Sequence, residues 1–199
     1  MPTPVGHLLA GAIVHKSQKT KGVLFLLFVL FFALLPDFDF VFGLAVGDAN
    51  RYHHLFTHSF FFVVVAGVVG GALYAKWARA SFAKSSAIFV SAGISHVILD
   101  ILALDQREPL GCPIWWPFSY DFVISPVLIF SDVSRASDSN VFFQSLFNLH
   151  NLKTVLIEIA VLAPLLLVVF LVQKVEIKNK KTKRLNIGRP GIKNECEEI

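Results

Sequence analysis

Apolar runs long enough to cross a bilayer recur along this chain, at 55–75, 85–104 and 154–173. A fourth, GVLFLLFVLFFALL, runs from Gly22 up to Pro36. A helix needs about 20 apolar residues to span the hydrocarbon core, and lipid offers no hydrogen-bond partner to an open sheet edge. The expected fold is therefore all-α, a polytopic helical membrane protein with about four full spans. The segment VGHLLAGAIV at 5–14 is too short to span alone. It predicts a short N-terminal half-helix against the bundle, a re-entrant segment or the start of the first hairpin. Lysines follow this segment instead of preceding it, which is not the order of a cleaved signal. Charged residues make up 16% of the chain and mean hydropathy is +0.64, against roughly 25% charged in soluble proteins.

Most of the 18 basic residues fall in three groups: Lys16, Lys19 and Lys21; Lys76, Arg79 and Lys84; and the stretch from Lys174 to Lys193. The groups alternate along the spans, so the positive-inside rule puts all three in the cytoplasm. The expected organisation is a membrane domain over 1–175 and a basic, disordered cytoplasmic tail over 176–199. Such a tail is drawn to anionic lipid, and no specific nucleic-acid partner is expected. Cys112 and Cys196 then lie on opposite sides of the membrane and cannot pair within the chain, and no CxxC occurs.

Polar residues set into the apolar runs carry the chemistry. LLPDFDF holds Asp37 and Asp39, RYHHLFTHS holds His53, His54 and His58, and SHVILD holds His96 and Asp100. An unpaired carboxylate in such surroundings costs several kcal/mol or neutralises; a divalent cation can hold several carboxylates and imidazoles together there. Counted at about 1.5 Å per residue from the basic helix ends, Asp37 and Asp100 stand roughly 23 Å up their helices, His58 about 27 Å and His96 about 17 Å. His7 begins the short first segment from the same side. All are expected to meet in the outer half of the bilayer.

The spacing supports this. His96 and Asp100 are four apart and share a helix face. His54 and His58 do so as well if the second long helix begins that early. Pro36 is expected to break the helix before Asp37 and Asp39. A mixed His/Asp set suits zinc first, with manganese or iron as alternatives, over calcium. Glu158, inside the last apolar run, is a candidate supporting group, and His15 in the lysine-rich loop is expected to play no part. PLGCPIWWPF reads as an ordered cap whose Trp115 and Trp116 anchor at the interface or form a lid.

PTPVGHLLAG, LLPDFD, HHLFTHS, SHVILD and WWPFS stand in an order that resembles a family of LexA-binding, inner membrane-associated, metal-dependent hydrolases, over roughly residues 1 to 130. The resemblance implies that His7, Asp37, Asp39, His53, His58, His96 and Asp100 fill the family's metal-site positions. One departure stands out: the family usually has His-Arg-Gly before the Thr-His, where this chain has His53, His54 and Leu55. The order His7, Asp39 followed 14 residues later by His53, then His96 and Asp100 is more distantly similar to zinc-dependent phospholipase C and its nuclease relatives. That likeness implies a phospholipase C-like helical metal core, without the further HxxxE ligands of those relatives.

The expected function is a membrane-bound metal-dependent hydrolase acting on a phosphoester bond in a lipid or other amphiphilic substrate. Bound metal lowers the pKa of a coordinated water, and Asp39 or Asp37 is the expected general base. The alternatives are a divalent cation transporter, whose intramembrane Asp and His would line a pathway, and a regulatory membrane protein stabilised by metal. A zincin protease is disfavoured because no HExxH occurs.

Overall fold

A computed structural model describes residues 1–18 and 22–187 of the chain. Lys19 and Lys21 of the first basic group, and Arg189, Lys193 and Cys196 of the tail, lie outside the described residues.

Helices are the regular elements among the described residues, with no strand among them. The first helix, α1 (Pro4–Ser17), starts where the Thr3 side chain accepts the Val5 N–H at 3.2 Å and proline occupies the first turn, an N-terminus that costs no helical hydrogen bond. Helix α2 (Val23–Leu34) tightens at Pro36 into a 3-10 turn, Leu35–Asp39, and resumes as α3 (Phe40–Ala45). Proline has no N–H to give the ladder, so the expected break at Pro36 is a change of pitch within one apolar segment.

A second 3-10 turn, Phe56–His58, leads into α4 (Phe60–Ala78), capped by the Ser59 hydroxyl on the Phe62 N–H. Helix α5 (Phe82–Ile101) follows a turn through Arg79, whose φ is 51°. A short α6 (Phe142–Ser145) precedes the long α7 (Leu149–Ile187). Among the described residues, four segments are long and apolar enough to cross a membrane: Val23–Ala45, Phe60–Ala78, Phe82–Ile101 and Leu149–Glu176. The condition that would put His54 and His58 on one helix face is not met: the second long helix begins at Phe60, after the histidines, where Ser59 caps it, and His54 has a φ of 59°. Helix α7 runs past 176 to Ile187, and the expected tail from 188 on lies outside the described residues.

Helices α4 and α5 approach closely through small residues. A Cβ on Gly67 would lie 2.6 Å from the Val90 backbone nitrogen, and one on Gly93 2.8 Å from the Val63 side chain. Membrane helices use glycine in this way because packing, not water exclusion, drives their association. Helix α1 packs among α2, α5 and α7. An aromatic layer of Phe25, Phe32 and Phe89, with Val29 and Ile88, fills the bundle on the side of the basic helix ends. Residues 103–141 cover the opposite end. They are pinned by backbone bonds such as Ser125 N–H to Ile101 O at 2.8 Å and Ala49 N–H to Ser137 O at 2.7 Å.

Candidate metal centre

Five side chains from four separate elements converge between the helices. His7 comes from the second turn of α1, Asp37 from the turn at Pro36, His58 from the turn before α4, and His96 and Asp100 from successive turns of α5. The Asp100 carboxylate lies 3.0 Å from His96 Nε2 and 3.6 Å from both His7 Nε2 and His58 Nε2. Asp37 lies 3.5 Å from Nε2 of His58 and of His96, and 4.0 Å from His7 Nε2. The His7 and His96 rings stack at 3.7 Å. His7, His58, His96 and Asp100 are buried, while the Asp37 side chain is 12% exposed, which makes it the member of the set that faces outward.

The second nitrogens fix the ring states. His96 Nδ1 lies 2.7 Å from the Ala33 carbonyl, which can only accept, so Nδ1 carries the proton. His58 Nδ1 faces an Asp39 oxygen at 3.3 Å and is held the same way. In the neutral rings both Nε2 atoms then point bare lone pairs at each other across 3.3 Å. Both nitrogens of His7, both oxygens of Asp100 and Oδ1 of Asp37 are buried with no hydrogen-bond partner among the described residues. Buried polar atoms are normally satisfied, so this is a donor set arranged around something other than a hydrogen. Burial lowers the His58 pKa, yet the Asp37 and Asp39 carboxylates outweigh it and push the imidazole up to about 10. The negative field that draws a proton there would equally draw a cation.

Asp39 and His53 occupy a different position from the other predicted ligands. Asp39 Oδ1 meets His53 Nδ1 at 2.9 Å, and Oδ2 accepts the Thr57 hydroxyl at 2.9 Å beside His58 Nδ1. Both oxygens are thus occupied on the far side of the His58 ring. That geometry does not fit a proton acceptor at the cluster; it fits a group that orients a ligand histidine. His53 packs face-on against Phe40 at 4.0 Å. Together with His54 and His58 it forms a second group whose ligand atoms lie within 4.8 Å of one another. Cys112 forms such a group with His54 and Asp100, but burial, and then the Asp100 charge, pushes its thiol up, away from the thiolate that binds metal.

Three further residues were not foreseen from the sequence. Thr57 bridges Asp39 and His58; its place one residue before a candidate ligand was the available signal. Asp105 pairs with His54 at 3.3 Å. Burial alone would raise the Asp105 carboxyl, but His54 and the Gly111 N–H hold it at about 2. Arg135 stands where two polar pockets meet an apolar groove. Burial, then the neighbouring Arg107, lowers its pKa to about 10. Nothing in the sequence marked either loop residue.

Glu158 proves to be the clasp on α1. Its buried carboxylate accepts the Thr3 N–H at 2.5 Å, the Gly6 N–H at 3.0 Å and the Thr3 hydroxyl, one turn or less from His7. Glu158→Ala should leave those donors unpaired, at a cost of about 1–3 kcal/mol. It should also loosen His7 and weaken metal retention. Thermal unfolding and metal titration on the same preparation check both effects, and unchanged metal affinity would dissociate the clasp from the site.

These elements define a helical integral membrane protein with a buried His/Asp cluster that could hold a metal ion. The chain belongs to the YdjM inner membrane protein family, which it matches over residues 1–177. No curated protein and no solved structure matches it, so the phospholipase C likeness rests on motif order alone. Family membership carries the inner-membrane location and leaves the reaction to be argued from the site.

Proposed function

We propose that this protein is a metal-dependent hydrolase of phosphoester bonds in a lipid or other amphiphilic substrate. His7, Asp37, His58, His96 and Asp100 are the metal ligands in this reading. The observation that carries it is the convergence of these five groups with buried, unpartnered donor atoms. Their nitrogen and oxygen donors fit zinc best, and manganese or iron next. Bound there, the metal would supply an acidified water and polarise the scissile group.

The chain's own residues divide the remaining work. Asp39 holds the His58 ring with its Nδ1 proton toward the carboxylate, and Thr57 and His53 hold Asp39. Asp37 is the carboxylate that also lines the apolar groove. It is therefore the group placed to take a proton from an attacking water. The aromatic layer of Phe25, Phe32 and Phe89 closes the bundle beyond the cluster. A cation pathway would have to cross that layer, which favours catalysis over transport.

Cleavage of a panel of phospholipids and phosphomonoesters by metal-loaded protein tests the reading. Metal-selective flux into liposomes without cleavage of any substrate would replace it with transport. In the same reading the cluster lies in the outer half of the bilayer and α7 ends in the cytoplasm. A reporter fused after Lys174 should then report cytoplasm, and one placed within 105–114 the opposite side. The same side for both would undo the topology.

A further inference from the structure

Beside the cluster runs a groove of about 340 Å³, walled by Leu34, Phe38, Val41 and Leu44 on one side and by Phe142 and Leu146 on the other. This is within the usual size of small-ligand sites. The first four belong to the apolar segment Val23–Ala45, so the groove opens at the level of lipid tails. Its lining is apolar except for Asp37 and Arg135. The Arg135 guanidinium lies over the Phe40 ring at 5.2 Å and donates through Nε to Asn50 Oδ1 at 2.6 Å. Among the described residues it makes no ion pair. Arg107 reaches the Arg135 carbonyl at 2.5 Å and brings a second guanidinium to the polar pockets beyond.

We propose that the groove holds an acyl chain of a lipid phosphate and that Arg135 binds the phosphate. This inference deepens the hydrolase reading and rests on it for the role of Asp37. One groove thus carries an apolar slot, a guanidinium and a cluster carboxylate on its walls, which matches the tail and the phosphate of such a lipid beside the group that would act on it. A neutral lipid would leave the Arg135 fork without an anion, and a water-soluble phosphate ester would leave the slot unfilled. Arginine suits the task because its planar fork meets phosphate oxygens in pairs.

The test is binding to the full chain in detergent, with metal content measured on every sample. The probes are the phosphonate analogue of phosphatidic acid (CH2 in place of the ester oxygen), diacylglycerol and inorganic phosphate. The analogue should bind more tightly than either of the others. Arg135→Ala should weaken it at least about tenfold, the worth of one charge-assisted hydrogen bond, and bring it to the level of diacylglycerol. Arg135→Lys should recover part of the loss. Val41→Trp, at an exposed position on the groove wall, should weaken the analogue and leave inorganic phosphate unchanged.

Equal binding of analogue and diacylglycerol by the unmodified protein overturns the proposal, even if the alanine variant fails to fold. So does inorganic phosphate that binds as tightly as the analogue, or analogue binding that ignores Val41→Trp. This test reads binding alone: the expected binding, together with no cleavage in the separate panel of phospholipids and phosphomonoesters, would sink the hydrolase reading and leave the lipid site standing.

Discussion

Asp100→Ala should abolish stable metal binding, while His15→Ala should leave it intact. Asp100 lies within 3.6 Å of Nε2 of all three imidazoles and closest to His96, at 3.0 Å, and its loss removes charge as well as a ligand. The fall in affinity should exceed the roughly 10–100-fold that outer-shell changes cost. The fold should survive, because the change also removes a buried carboxylate with no hydrogen-bond partner. Metal that binds only the folded state stabilises it by an amount that grows with the logarithm of free metal over its Kd. With chelator present, the unmodified protein and Asp100→Ala should therefore melt within a few degrees of each other. With metal added, only the unmodified protein should gain. Metal analysis after dialysis, paired with the two melting curves, checks this.

Asp39→Asn should have the second-largest effect, and its form separates two roles. If Asp39 were the proton acceptor, the variant would keep its metal and lose only turnover. The structure gives both Asp39 oxygens to His53, Thr57 and the back of His58. An amide offers one acceptor and turns an NH2 toward groups that need the other. The His58 ring should lose its anchoring charge, and metal affinity should fall about 10–100-fold, with turnover falling alongside it. Adding excess metal should restore much of the activity. Failure of excess metal to restore it, with metal content normal, would return Asp39 to the role of base.

Much of this centre was legible from the sequence because helical periodicity carried it. His96 and Asp100, four apart on one face, sit where the spacing predicts. Pro36 announced the change of pitch at the turn that carries Asp37. Asp37 and Asp39 were not separable by pattern. They lie on a 3-10 turn of about three residues per turn, so residues two apart point in widely different directions, one to the cluster and one behind His58. The spacing of His54 and His58 misled because the helix that would put them on one face starts only at Phe60.

The tail misled for another reason. Its polar, glycine- and proline-containing composition suggested disorder, yet lysine, arginine and glutamate are good helix formers, and α7 runs on to Ile187, short of those glycines and that proline. Arg135 and Asp105 come from segments without helix or strand period, and only the folded chain brings them to the His54 side of the site.

In the proposed reading His7, Asp37, His58, His96 and Asp100 hold the bound metal, and X-ray absorption on the zinc-loaded, detergent-purified protein tests that assignment most directly. The account predicts retained zinc with a nitrogen and oxygen shell at roughly 2.0–2.1 Å and multiple scattering from imidazole. That imidazole signal should shrink in His96→Ala. Protein that retains no metal, or a spectrum unchanged by His96→Ala, would contradict it.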